Sequence, residues 1–237
     1  MSKRIFITGN SSGIGAALTE HYAAAGESVF GMSRRGYRGS AKTRDCQIDL
    51  AKLDSLPMAL DTLLGDCPDL DLVILNAGIL GPVGPLAKTS LAEAKRVMDI
   101  NLWANKLILD WLLGQQKPVR QIVLISSGAS TKGNPGWNVY SISKAALNML
   151  TQLYAHEFPD THLSAIAPGI VDTAMQTQLC EQTDPSICPS VQYLQSARGT
   201  SAMPTPEAAA PLLAQAFEQV TGLPSGDLYD LSQFSKS

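Results

Sequence analysis

The sequence predicts an α/β protein: a single domain over residues 1–237, built on one doubly wound, mostly parallel sheet of seven strands with helices on both faces. Three observations predict it. Short apolar runs rich in Val, Ile and Leu alternate with helical patterns, as parallel strands joined by crossover helices require. Hydrophobic residues make up 45% of the chain and charged residues 16%, enough apolar material to bury a sheet covered on both sides. The runs are separated by Gly- and Pro-containing turns, with no internal repeat and no linker that would mark a second domain.

Taken in order, Ile5–Ile7 reads as the first strand, and a Gly-rich segment after it opens a helix through Ala25 that Gly26 stops. Ser28–Met32 is the second strand and Cys46–Asp49 a short third. Leu53–Leu64 reads as a helix ended by Gly65 and Pro68, and Leu72–Leu75 as a compact buried strand. Beyond the Gly81–Pro85 loop, Ser90 caps one long helix reaching Leu113. Val119–Ser126 is the fifth strand, and a polar loop through Gly136 leads into a helix over Asn138–Glu157. His162–Ala167 is the sixth strand, closed by Pro168-Gly169. Residues 173–200 are rich in Gln, Ser and Pro and read as an irregular lid over a substrate site. Thr205-Pro206-Glu207 starts a last helix to Val220, with Pro in its first turn, and a final strand lies around Asp227–Leu231. The total is seven strands and six helices. Sheets of this kind bind ligands at the carboxyl ends of their strands, where strand order reverses.

Several function classes are excluded by composition. The formal charge of −3, without a basic run, argues against nucleic acid or an anionic membrane as the main partner. The most hydrophobic helical stretch, Ile100–Leu113, is broken by Asn101, Asn105, Lys106 and Asp110, so no membrane span is expected. The first residues lack the long apolar core and cleavage site of a signal peptide. Cys46, Cys67, Cys180 and Cys188 are scattered without metal-ligand spacing and read as thiols in a reducing cytosol. His21, His156 and His162 are isolated and read as surface or packing residues. A cytoplasmic protein without a metal site is expected.

Thr8-Gly9-Asn10-Ser11-Ser12-Gly13-Ile14-Gly15 sits between the first strand and the first helix. Glycine there lets the backbone turn tightly and approach a pyrophosphate, and the helix N-terminus offers unpaired N–H groups to the anion. This Rossmann arrangement makes Gly9, Asn10, Ser12, Gly13, Ile14 and Gly15 candidate cofactor residues. The second strand ends Met32-Ser33-Arg34-Arg35, with no acid until Asp45. An acid at that point would bind the ribose hydroxyls of NAD and repel a 2′-phosphate, whereas two guanidiniums pair with it. NADPH is therefore expected over NADH, with Ser33, Arg34 and Arg35 at the phosphate. The alternative is a solvated basic loop that continues through Arg38 and Lys42.

Tyr140 and Lys144 are four residues apart in a predicted helix and project from one face. A free phenol titrates near pH 10, and a neighbouring ammonium is expected to lower that value. Ser127 lies thirteen residues earlier, at the end of the fifth strand, where its hydroxyl can donate to an oxygen that gains charge. On its own each motif also fits a surface aromatic, a solvated cation or a strand-end hydroxyl.

In register from Thr8 to Thr173, these motifs with Asp49, Asn76-Ala77-Gly78, Asn101 and Pro168-Gly169 resemble the short-chain dehydrogenase/reductase family. Ser126–Ala129 and Pro168–Gln176 look most like its sepiapterin and benzil reductases. The resemblance implies that Asp49, followed by Leu50, meets the adenine, and that Asn76, Ala77 and Gly78 line the adenosine ribose. Pro168, Gly169, Val171 and Thr173 would hold the nicotinamide. It further implies that Tyr140 is the general acid, that Lys144 tunes it and binds ribose, and that Asn101 holds a water beside the lysine. Taken singly, Asp49 also fits a strand-end cap, Asn76 a turn and Pro168-Gly169 a loop break.

The expected reaction is NADPH-dependent reduction of a small-molecule carbonyl, an aromatic or heterocyclic ketone or diketone. Its alternatives are an NAD-dependent secondary-alcohol dehydrogenase and a non-catalytic dinucleotide sensor. The expected substrate walls are Ile79–Ala87, Ser130–Trp137 and Ala174–Gly199. Asp227 resembles the terminal acid that grips pterin in sepiapterin reductases, and otherwise reads as a strand-edge acid. A homodimer or homotetramer is expected, with Trp103 and Trp111 either at the subunit face or in the core.

Overall fold

In the computed structural model, which describes residues 2–39 and 43–234, seven strands form one sheet in the order β3-β2-β1-β4-β5-β6-β7. They are β1 (Arg4–Thr8), β2 (Ser28–Ser33), β3 (Thr43–Gln47), β4 (Leu70–Leu75), β5 (Val119–Ile125), β6 (His162–Ala167) and β7 (Leu228–Asp230). Lys42 lies outside the described residues. Every pairing among the described residues is parallel. β1 lies between β2 and β4, which makes the carboxyl ends of β1 and β4 the point where strand order reverses.

The central strands are buried on both faces, which is why they read as continuous apolar runs rather than alternating ones. One face is covered by α2 (Leu56–Leu64), α4 (Ala104–Gly114) and α5 (Asn138–Glu157), with Leu60, Ile108 and Leu147 wholly buried. The other is covered by α1 (Gly13–Ala24) and α8 (Pro206–Val220), through Leu18, Leu213 and Phe217. Among the described residues no helix is long and apolar enough to cross a membrane.

Four elements depart from the sequence expectation. β3 runs over Thr43–Gln47 rather than Cys46–Asp49; it is a partly exposed edge strand, so its apolar pattern carries little register information. Leu53–Leu64 begins with a 3₁₀ turn at Leu53–Ser55 before α2. The single long helix divides into α3 (Leu91–Met98) and α4 around a π turn at Asp99–Trp103, although Ser90 does cap it through a capping box with Glu93. Most of all, the stretch read as irregular contains α6 (Ala174–Gln182) and α7 (Ser190–Ala197). These helices are short and rich in Gln and Ser, and their few apolar residues, such as Leu179, Val191 and Leu194, are buried. The described residues therefore hold eight α-helices instead of six.

Candidate active site

A cleft of about 750 Å³ opens at the carboxyl ends of the strands and runs from Arg34 and Arg35 to Tyr140 and α6. Its near half is backbone. Gly9 adopts φ +72°, open to glycine at no cost, and its N–H donates to Met32 O at 2.8 Å. Gly15 lies beneath the loop, where a Cβ would come within 2.3 Å of Gly9 O. Asn76, at the end of β4, fixes the loop from below: its Nδ2 donates to Thr8 O at 3.0 Å and its backbone N–H to Thr8 Oγ1 at 3.0 Å. Ser12, Gly13 and Ile14 line the cleft at the start of α1.

At the far rim Arg35 Nη2 donates to Ser12 Oγ at 2.7 Å, holding one guanidinium against the glycine loop. Arg34 is exposed, and Ser33 Oγ is buried without a hydrogen-bond partner among the described residues. The next acid along the chain after this rim, Asp45, is already engaged: its Oδ1 accepts from Asn10 Nδ2 at 2.7 Å and its Oδ2 from Tyr37 N–H at 3.1 Å. Asp49 and Leu50 line the next wall, with Asp49 paired to Arg96 at 3.5 Å. These residues fit a phosphate-bearing dinucleotide: a cradle that side chains would fill, a helix N-terminus, two cations and a buried free hydroxyl.

The deep end is built from β5 and α5. β5 delivers Ser126 and Ser127, which part as strand alternation requires. Ser126 Oγ bonds Asn148 Oδ1 at 2.6 Å, whereas Ser127 Oγ accepts from Ala129 N–H at 3.1 Å and is hydrogen-bonded with the Tyr140 phenol. Tyr140 is buried, and burial pushes its phenol above the ordinary range while the Ser127 bond opposes that rise. The expected lowering is therefore overturned: desolvation outweighs every other influence. Lys144 Nζ donates to Ile125 O at 2.7 Å and stands 5.8 Å from the centre of the Tyr140 ring. Burial pulls the Lys144 ammonium down to about 8.

Most of the expected site residues line the cleft: Gly9, Ser12, Gly13, Ile14, Ser33, Arg34, Arg35, Asp49, Leu50, Asn76, Ala77, Gly78, Ser127, Tyr140, Lys144, Pro168, Gly169 and Thr173. Asn10, Gly15, Val171 and Asn101 do not. Asn10 is wholly buried against Asp45, Gly15 packs under the loop and Val171 belongs to the core beside β6. Asn101, at the π turn, spends its amide on packing: Oδ1 accepts from Ile79 N–H at 2.8 Å, and Nδ2 donates to Ile79 O at 2.9 Å and to Ser143 Oγ at 3.0 Å. Its carbonyl accepts from Asn105 Nδ2 at 2.9 Å.

Of the two readings of Asp227, the structure fits the strand-edge acid. It is exposed at the start of β7, at the opposite end of that strand from the cleft. Asp230, the last residue of β7 and the partner of Ala167, lines the cleft in its stead. The signal that locates it is strand polarity, since the carboxyl end of the last strand must face the site. Ser11 and Ile48 also line the cleft without having been singled out.

A glycine cradle at the reversal point, leading into a Ser–Tyr–Lys group, defines an oxidoreductase of the dinucleotide-binding class. The chain belongs to the short chain dehydrogenase family, whose profile matches residues 3–184. Over nearly its whole length it is similar to benzil reductase ((S)-benzoin forming) of Bacillus subtilis, 29% identical over 96% of this chain and 98% of that one. It is 31% identical to a benzil reductase ((S)-benzoin forming) of Saccharomyces cerevisiae, over 91% and 90% of the two chains. An uncharacterized oxidoreductase of Schizosaccharomyces pombe is 35% identical over 122 residues, 51% of this chain and 49% of that one. The crystal structure of a short chain dehydrogenase/reductase from Saccharomyces cerevisiae has the same fold, with TM-score 0.84 at 22% identity over 99% and 98% of the chains.

Proposed function

We propose that the protein is an NADPH-dependent carbonyl reductase acting on an aromatic or heterocyclic ketone or diketone. The observation that carries this reading is the placement of Tyr140: a buried phenol lining the cleft beside Ser127, with Lys144 Nζ 5.8 Å from the centre of its ring. A phenol carries its proton at neutral pH and can pass it to a carbonyl oxygen bound beside it, which suits reduction. NADPH, when bound in the cleft, would supply the hydride for the carbonyl carbon. Tyr140 Oη transfers its proton to the oxygen as charge develops there, and Ser127 Oγ donates a hydrogen bond to that same oxygen. Lys144, four residues along the same helix face, lies against the phenol ring and favours its return to the acid form through its own proton. Asn101 acts through other residues, joining the Ile79 loop to α5 at Ser143.

The cofactor preference rests on Arg34 and Arg35 at the end of β2 together with the engagement of Asp45 by Asn10. Residues 173–200 serve as the substrate lid. The similarity to two benzil reductases over nine-tenths of the chain or more supports the carbonyl assignment. Exposed Ile142, Met149 and Leu153 share one face of α5 and, with exposed Trp103, support a homo-oligomer; Trp111 is core, donating to Asp61 Oδ1 at 2.8 Å. The test of the function is loss of NADPH absorbance with a panel of ketones, diketones, quinones and pterins, using Tyr140→Phe as control. Tight cofactor binding with no oxidation on any of them would sink the proposal. Faster turnover of a secondary alcohol with NAD than of any ketone with NADPH would reverse its direction.

A further inference from the structure

Trp137 is the residue at the deep end of the cleft whose placement the reaction itself does not explain. It precedes Tyr140 by three residues at the start of α5, so the two side chains leave the same helix face. Their ring centres are 5.9 Å apart and tilted by 41°. The indole lines the cleft, and its only polar atom is already used: Nε1 donates to Ser190 Oγ, in the first turn of α7, at 2.7 Å. What Trp137 offers a substrate is thus the face of a ring, without a hydrogen bond. The facing surfaces are aliphatic, from Leu80 and the α6 and α7 residues Met175, Leu179 and Leu194, which pack with Tyr140 and Trp137 in one small apolar cluster.

The ring is also held still from three sides. Gly136 is packed so closely on the segment leading into α7 that a Cβ there would lie 2.6 Å from Cys188 Cβ. Gly136 O accepts from Gly84 N–H at 2.9 Å, which ties the loop to the opposite wall. On the other side Asn138 Nδ2 donates to Pro82 O at 2.8 Å and to Thr89 Oγ1 at 3.1 Å. A large side chain fixed this firmly beside the reacting phenol sets which groups can lie next to the carbonyl.

We propose that Trp137 is a specificity-determining residue: its indole face receives a flat aryl substituent of the carbonyl substrate, at an orientation set by Ser190. The inference rests on the carbonyl-reductase reading and adds to it the residue that selects aryl over alkyl and the contact that couples this selection to the lid. An aryl group gains both apolar burial and ring-to-ring contact there, whereas a methyl group gains neither.

The test compares two diketones that differ in their flanking groups, benzil and diacetyl, with NADPH. In Trp137→Ala, kcat/KM for benzil is expected to fall by about ten-fold or more, mostly through KM, with diacetyl changed by less than about two-fold. Trp137→Phe keeps a ring and should restore most of the loss. Ser190→Ala, which frees the indole without removing it, should fall between the two. Equal losses on both diketones, or no loss on benzil, overturn the proposal. If Trp137→Ala does not fold, Trp137→Phe and Ser190→Ala decide by the same benzil-to-diacetyl ratio. If the parent reduces neither compound, the carbonyl-reductase reading stands or falls on the wider panel of ketones, quinones and pterins. The site is then read by quenching of tryptophan fluorescence on titration with benzil: saturable quenching lost in Trp137→Phe supports the proposal, and quenching absent from the parent or unchanged in Trp137→Phe overturns it.

Discussion

The half of the cleft at β1, β2 and β4 and the half at α5, α6 and α7 are made by different means. The first is a backbone structure, with glycines where a Cβ would collide and Asn76 as a staple beneath them. The second is a side-chain structure, in which Ser127, Tyr140, Lys144 and Trp137 arrive from two elements and are closed over by short helices. A backbone cradle suits a ligand part that never changes, such as a pyrophosphate, and it is intolerant of substitution. A side-chain wall can be rebuilt residue by residue, which suits a part of the ligand that varies between enzymes.

The largest expected effect separates the two halves outright. Tyr140→Phe should lower turnover by about 10²–10⁴-fold while leaving NADPH affinity, followed by nucleotide fluorescence, almost unchanged. A parallel loss of cofactor affinity would mean that the halves are not independent. Next, Arg34→Ala combined with Arg35→Ala should weaken NADPH binding by about 100-fold and NADH hardly at all, on the usual worth of charge-assisted hydrogen bonds. Equal weakening of both nucleotides would remove the phosphate from this rim.

Lys144 tests the cost of the side-chain half. Its pKa is depressed from 10.5 to about 8, so below pH 8 the folded protein carries a buried ammonium that the unfolded chain solvates. Lys144→Met should abolish turnover and yet raise stability at pH 7, by up to about 3 kcal/mol, in chemical denaturation. Between pH 8 and 10.5 the folded state releases the proton while the unfolded state keeps it, so the parent gains stability as pH rises and the difference closes. A gap that widened over that range would contradict the assigned burial. The smallest effect is at the lid base, where Arg198 reaches Asp172 at 3.3 Å, Glu181 at 3.1 Å and Thr177 at 2.7 Å. Because these contacts are partly exposed, Arg198→Ala should raise KM only a few-fold with kcat preserved.

The same contrast explains how much was legible in the sequence. The cradle was readable because its residues are contiguous and each Gly answers a local steric demand. Ser127, Tyr140 and Lys144 were readable because strand end and helix spacing fix their relation. The reading failed where a residue's role depends on a partner distant in the chain. Asn10 looks like a loop residue open to ligand until Asp45, thirty-five residues on, captures it. Tyr140 was expected to be acidified by Lys144, but that spacing says nothing of how deeply the fold buries the pair. The lid helices escaped notice because helices of eight or nine residues draw their order from tertiary packing rather than propensity. Asp230 was missed for a simpler reason: the register of a three-residue strand cannot be counted from its composition.

Gly31, in the middle of β2, gives the cofactor preference proposed above an unexpected origin. A Cβ at that position would lie 1.9 Å from Asn10 Nδ2 and 2.4 Å from Asp45 Oδ1, so the amide–carboxylate pair exists only because one carbon is missing. The chain thus carries an acid on β3, one strand over from Gly31, and keeps it occupied. Exchange of one nucleotide for the other would not have to begin with a new carboxylate. It could begin with a methyl group inside the sheet, whose intrusion would set loose a charge that is already there.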